Sequence, residues 1–241
     1  MTIEYLYANA RFTTTSGKSL AKQSPALAIS DISTGIPERY TEGTYDIPVY
    51  PGTEVTVSLY AAGGGGGTGS AAFIDGIDVS DLNGTNGGGV RLTYGAGTVF
   101  AGGGNGGSGN AWHMTSGELE PWSGLGGKWN TSGLNGAFTV LETVNGGDGY
   151  LGGNAVGNYV GVGFVNEFGD SNNGGKGGAS VAEGGYAYGG NGGAGSYIKA
   201  VVANTTNVVK YMTITVGATG KGAPYGSPGT DGGIATAVVK T

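Results

Sequence analysis

Between Glu54 and Tyr60 apolar and polar positions alternate, with Val55, Val57 and Leu59 on one face. A period of two predicts a half-buried strand. Residues 45–50 predict a strand before it, closed by the turn signal Pro51-Gly52. Residues 196–203, 211–216 and 234–239 predict three more near the other end, and Asn204 to Asn207 predicts a hairpin joining the first two. Residues 3–7, 10–13 and 24–30 read as short strands, and residues 36–39 as loop.

Composition changes what lies between these blocks. Glycine supplies 56 of 241 residues, against about 7 % in ordinary chains. Each interior glycine weakens a helix by roughly 1 kcal/mol, so no long α-helix is expected beyond residue 60. Hydrophobic residues at 38 % and aromatics at 10 % argue against disorder. Only Gly17, Gly35 and Gly43 fall in residues 1–43. That shift predicts an N-terminal attachment segment, 1–43, and one glycine-rich domain, 44–241. The glycine clusters keep no fixed period and no Gly-X-Y order, which excludes a regular solenoid and collagen. Runs such as Gly102 to Gly109 and Gly189 to Gly195 suit extended helices with three residues per turn. Such helices bond only to neighbours, which glycine lets approach. The expected fold class is mostly β and irregular: short β-strands bracketing a polyglycine II lattice, without long α-helix.

Here a resemblance becomes specific. Tyr45-Asp46-Ile47-Pro48-Val49-Tyr50-Pro51-Gly52, followed by Gly63 to Gly67, resembles the opening of glycine-rich domains in bacteriophage tail-fibre and tail-tip proteins. Gly193-Ala194-Gly195-Ser196-Tyr197, Thr213-Ile214-Thr215-Val216-Gly217-Ala218 and Gly232-Gly233-Ile234-Ala235-Thr236-Ala237-Val238-Val239 resemble their closing part. The alternation of glycine clusters with aromatic loops is similar to the distal adhesin of T-even-type long tail fibres. The resemblance implies a receptor-binding protein at a virion's tail-fibre tip, acting at the host cell surface. Its partners would be a bacterial outer-membrane protein or surface glycan, and a fibre subunit held through residues 1–43. The alternatives are a structural decoration or baseplate subunit, or an ice-binding protein.

Charge and side-chain chemistry narrow the rest. The net charge of −6 and scarce Lys and Arg argue against nucleic acid. No stretch has the length of a membrane helix, so no membrane insertion is expected, and no secretory leader is read. Without cysteine there is no disulfide framework or thiolate metal site. His113 is the one histidine and has no nucleophile motif beside it, so no enzyme activity is expected. Gly175-Lys176-Gly177 and Gly220-Lys221-Gly222 lack the Ser/Thr of a phosphate loop and read as lattice turns. Asp75, Asp78 and Asp81 lack the calcium-loop order, and Glu118 and Glu120 read as a surface loop. No cofactor and no metal is expected. Trp112, His113, Met114, Trp122, Trp129, Tyr150 and Tyr159 are the candidate receptor contacts, because Trp and Tyr bury large area with few rotatable bonds. Phe138, Phe164 and the strand tyrosines are expected to pack.

Overall fold

A computed structural model describes residues 36–69, 79–109, 123–149, 160–182 and 185–241. These form two antiparallel five-stranded sheets, a two-stranded ribbon and a lattice of glycine-rich segments. The strands are β1 (Glu38–Tyr40), β2 (Gly43–Val49), β3 (Glu54–Tyr60), β4 (Val90–Tyr94), β5 (Gly97–Ala101), β6 (Trp129–Ser132), β7 (Phe138–Val144), β8 (Ala179–Ala182), β9 (Gly185–Tyr188), β10 (Tyr197–Ala203), β11 (Lys210–Val216) and β12 (Thr236–Lys240). One sheet has the order β1-β12-β3-β10-β7, the other β2-β11-β4-β5-β6, and β8 pairs with β9. Only a short 3-10 helix, Val79–Leu82, is helical among the described residues.

The sheets share one apolar core. Val55, Val57, Leu59, Ile198 and Val202 from the first sheet meet Ile47, Leu92, Val99, Met212 and Ile214 from the second. Phe138 is buried against the edge of Tyr94, as packing was expected to place it.

Two expectations are corrected here. Residues 36–39 are not all loop, because β1 pairs with β12. Residues 38–40 and Gly43 therefore belong to the sheets. Nor do β10 and β11 form a hairpin; they lie in different sheets. A hairpin would place Ile198, Val202, Met212 and Ile214 in a single sheet. Crossing between sheets apposes the two apolar faces and buries both. The crossing is held by Asn204, whose Nδ2 donates to the Val49 carbonyl at 2.7 Å and to Val208 at 2.8 Å. Gly52 N donates to Asn204 O at 2.7 Å, and φ at Gly52 is +74°.

The glycine-rich middle also hides strands. Val90–Tyr94 and Gly97–Ala101 pair across the two-residue loop Gly95-Ala96, where Gly95 has φ +60°. Glycine first in a two-residue hairpin loop is the type II′ preference.

Where side chains stop, the two sheets come together. Facing sheets stand about 10 Å apart with side chains between them, and hydrogen-bonded chains under 5 Å. Beyond Tyr60 the chain continues as 61–69, and its amides donate to three neighbours in rotation. Ala61, Gly64 and Gly67 donate to Ser196, Gly193 and Gly190. Ala62, Gly65 and Thr68 donate to Gly88, Thr85 and Leu82; Gly63, Gly66 and Gly69 donate to Gly233, Thr230 and Ser227. Its carbonyls accept from Gly104 and Gly107, from Gly175 and Gly178, and from Ala223. A three-residue period with bonds only to neighbours is the polyglycine II pattern. The sheet registers run on unchanged: Tyr60 faces Tyr197 in the sheet, and the next residue, Ala61, bonds to Ser196. Bonds between segments from different sheets are new, such as Ala62 to Gly88 and Ser196 to Gly102.

Residues 61–69 and 189–196 are wholly buried. A Cβ on Gly64 would overlap the Asn105 carbonyl, and one on Gly193 the Leu125 carbonyl. The two Gly-Lys-Gly stretches are corrected by the same network. They lie within lattice segments rather than at turns: Gly175 N donates to Gly64 O, and Thr230 N to Lys176 O.

At the rim, side-chain oxygens replace missing carbonyls. Asn86 and Asn83 Oδ1 accept from Gly106 and Gly109 at 2.9 and 2.8 Å. Asp148 accepts from Gly126, Asn173 from Gly163 and Asp231 from Gly222; inside the lattice, buried Asn191 accepts from Gly177 in the same way. Thr85 and Thr230 Oγ1 accept from Lys221 and Lys176.

Candidate functional site

Strand directions give the lattice two poles. β3, β5, β7 and β11 run into it, and β4, β6, β10 and β12 run out of it. At the pole far from the sheets the described segments are bonded through Gly69 N to Ser227 O, Gly149 N to Gly124 O and Gly189 N to Gly178 O. Ile36 and Thr241, the first and last described residues, lie at the opposite, sheet-side pole, since Glu38 pairs with Val239 and Lys240 with Thr56.

Of the predicted contacts, Trp112, His113, Met114, Trp122, Tyr150 and Tyr159 lie outside the described residues. Trp129 is described. It opens β6 opposite Ala101 and is 38 % exposed. At about 3.1 Å per residue it sits roughly 19 Å below Ser123.

The described parts of the far pole are tightly held. Buried Thr68 directs its hydroxyl to the carbonyls of Tyr225 and of Ser227, the latter at 3.0 Å. Gly69 N also donates to Ser227 O. The turn there uses Gly226 at φ +62° and leaves the Tyr225 ring 38 % exposed. Leu82 of the 3-10 helix packs against Gly109 so closely that a Cβ there would overlap it. The β8–β9 ribbon leaves the pole from Gly178 and returns at Gly189, which are bonded to each other at 2.8 Å. Tyr225 was missed in the sequence because a single tyrosine beside Pro224 and Gly226 reads as an ordinary turn.

Below the pole, aromatic and charged groups brace the junction. Tyr197 packs between Tyr60 and Phe164, with centroids at 4.9 and 5.2 Å. Burial, reinforced by the neighbouring Tyr197, pushes the Tyr60 hydroxyl up to about 12. Arg39 grips Asp170 with two bonds, 2.5 and 2.7 Å, and Lys240 pairs with Glu167 at 2.9 Å. Asn166 holds that loop, donating to Asp170 Oδ2 and Thr236 Oγ1 and accepting from the amides of Phe168 and Asp170. On the flank, the hydrogen bond from Lys221, with that from Gly222 N, holds the Asp231 carboxyl below its usual range.

The sheet-side pole carries a different chemistry. Tyr50, Leu134, Val208 and Tyr211 are exposed there. The turns bearing the first three are tied together through Asn204 and through Ala203 N, which donates to Ala137 O.

Among the described residues no three His, Asp or Glu side chains converge to hold a metal, and no helix is long and apolar enough to cross a membrane. No family model, curated protein or solved structure matches the chain.

Proposed function

We propose that this chain is a receptor-binding tip adhesin of a bacteriophage tail fibre, and that it recognises a bacterial outer-membrane protein or surface glycan. The observation that carries the reading is the polarity of the fold. The lattice segments ending at Gly69, Gly109, Gly149 and Gly178 run towards one pole, while the first and last described residues lie at the other. A scaffold with this polarity suits a binding surface held at a fixed distance from an attachment point. Binding surfaces built on rigid supports lose less entropy on contact.

The sequence between these lattice segments is rich in the side chains that dominate binding hot spots: Trp112, His113, Met114 and Trp122, then Tyr150 and Tyr159. Tyr225 adds a ring fixed from below by Thr68. Exposed apolar groups at the sheet-side pole suit a protein contact there, and residues 1–43 would join the chain to its fibre. In this reading the protein works on the virion at the host surface, without catalysis.

The test is binding of labelled protein to a panel of Gram-negative cells, including strains lacking lipopolysaccharide sugars or major porins. Strain-specific binding that disappears with one surface component is expected. Trp112→Ala and Trp122→Ala should each weaken it by about thirtyfold, the scale of a hot-spot truncation, with unchanged melting. Folded protein that binds no strain would instead make it a structural subunit.

A further inference from the structure

The sequence contains the dipeptide Asn-Gly at Asn83, Asn86, Asn105, Asn135, Asn145, Asn173 and Asn191. In such a pair the glycine amide nitrogen can attack the asparagine Cγ, because no side chain on the second residue blocks the approach. The structure separates one pair from the rest. In six of them the glycine N–H is held. Gly84 donates to Gly107 O, Gly87 to Gly104 O, Gly146 to Gly127 O, Gly174 to Gly161 O and Gly192 to Gly175 O, at 2.8 to 3.0 Å. Gly106 donates to Asn86 Oδ1 at 2.9 Å. Exposure does not make the distinction, since Asn86, Asn105 and Asn145 are exposed as well.

Asn135-Gly136 lies in the turn between β6 and β7. There the Gly136 amide makes no hydrogen bond among the described residues, and a Cβ on Gly136 would meet nothing within 4 Å. Ala137 N donates to Asn135 Oδ1 at 3.0 Å. That bond polarises the carbonyl under attack and stabilises the oxygen on which negative charge develops.

We propose that Asn135 is a site of spontaneous deamidation, with water as co-reactant, and that the lattice protects the other six. The Gly136 nitrogen forms a bond to Asn135 Cγ and gives up its proton. The bond from Cγ to Nδ2 breaks, and ammonia leaves with that proton. Water then opens the cyclic imide at either carbonyl, giving aspartate or isoaspartate, with no change of oxidation state. The product adds a negative charge to the sheet-side pole, and isoaspartate also lengthens the turn by one backbone atom.

The test is incubation of the intact protein in mildly alkaline buffer, with circular dichroism to show that it stays folded. Peptide mass mapping then follows each asparagine over time. Asn135 should convert first, and each lattice site at least about tenfold more slowly, because its glycine is released only by local opening. In denaturant the seven sites should converge in rate. Gly136→Ala should slow conversion at position 135 alone. A lattice site that keeps pace with Asn135 in the folded protein would overturn the proposal. So would Asn135 remaining the fast site in denaturant, since sequence and not structure would then set the rate.

Discussion

Gly64→Ala offers the sharpest test of the lattice. The added Cβ lands on the carbonyl carbon and oxygen of Asn105, backbone atoms that cannot rotate away. Segment 102–109 has to shift, and three bonds go with it: Gly104 N to Ala62 O, Gly107 N to Gly65 O, and Gly193 N to Asn105 O. Each such bond contributes about 1 kcal/mol net, and more where a buried partner is left bare. Overpacking adds roughly 1–3 kcal/mol. Against this, alanine reduces the freedom of the unfolded chain and recovers about 0.4–1 kcal/mol. The balance is a loss of roughly 3–5 kcal/mol, a large share of the 5–15 kcal/mol typical of a whole domain. Gly136→Ala is the matched control. It makes the same change in the unfolded state, at a site with nothing within 4 Å. Denaturant unfolding followed by aromatic fluorescence gives both free energies, and their difference isolates the close approach in the folded state. If Gly64→Ala lies within about 1 kcal/mol of Gly136→Ala, the backbone contacts are not what hold the lattice.

Asn191→Ala removes a buried side chain whose Oδ1 accepts from Gly177 N, and should lower stability by about 1–3 kcal/mol in the same assay. The Asp231 carboxyl is held below its usual range, so its contribution is present above the unfolded carboxylate value and disappears as pH falls through the lower folded value. Acid titration of stability should therefore flatten in Asp231→Asn. Tyr60 behaves in the opposite sense. Its contribution is complete below 10 and is lost as pH rises towards about 12, so Tyr60→Phe should reduce the alkaline loss of stability.

Much of the sheet layer is legible in the sequence. Residues 54–60 alternate with period two and form β3 over that range, and β10, β11 and β12 lie where aliphatic runs predict them. The three-residue period of the glycine runs is legible too, because only glycine lets chains meet backbone to backbone. Strands β4 to β7 are harder to read, since Val90–Tyr94 and Phe138–Val144 are short and bounded by glycine clusters that resemble loops.

What tertiary structure alone decides is pairing. A glycine run has the same local preference whichever neighbour it meets and in whatever register, so residues 61–69 carry no mark that would choose Gly193 over Gly190 as the partner of Gly64. The sheets make that choice: β3 and β10 align Tyr60 with Tyr197, since a one-residue slip would turn a buried face outward, and the lattice extends that alignment. The crossing of β10 to β11 is likewise set by burial of two apolar faces rather than by the turn residues. Trp129 reads as a companion of Trp122 in sequence, yet the length of a lattice segment carries it down to a sheet edge. Asn83 and Asn86 at the rim, and buried Asn191, look like linker residues until the bare amides of neighbouring segments show what their side chains satisfy.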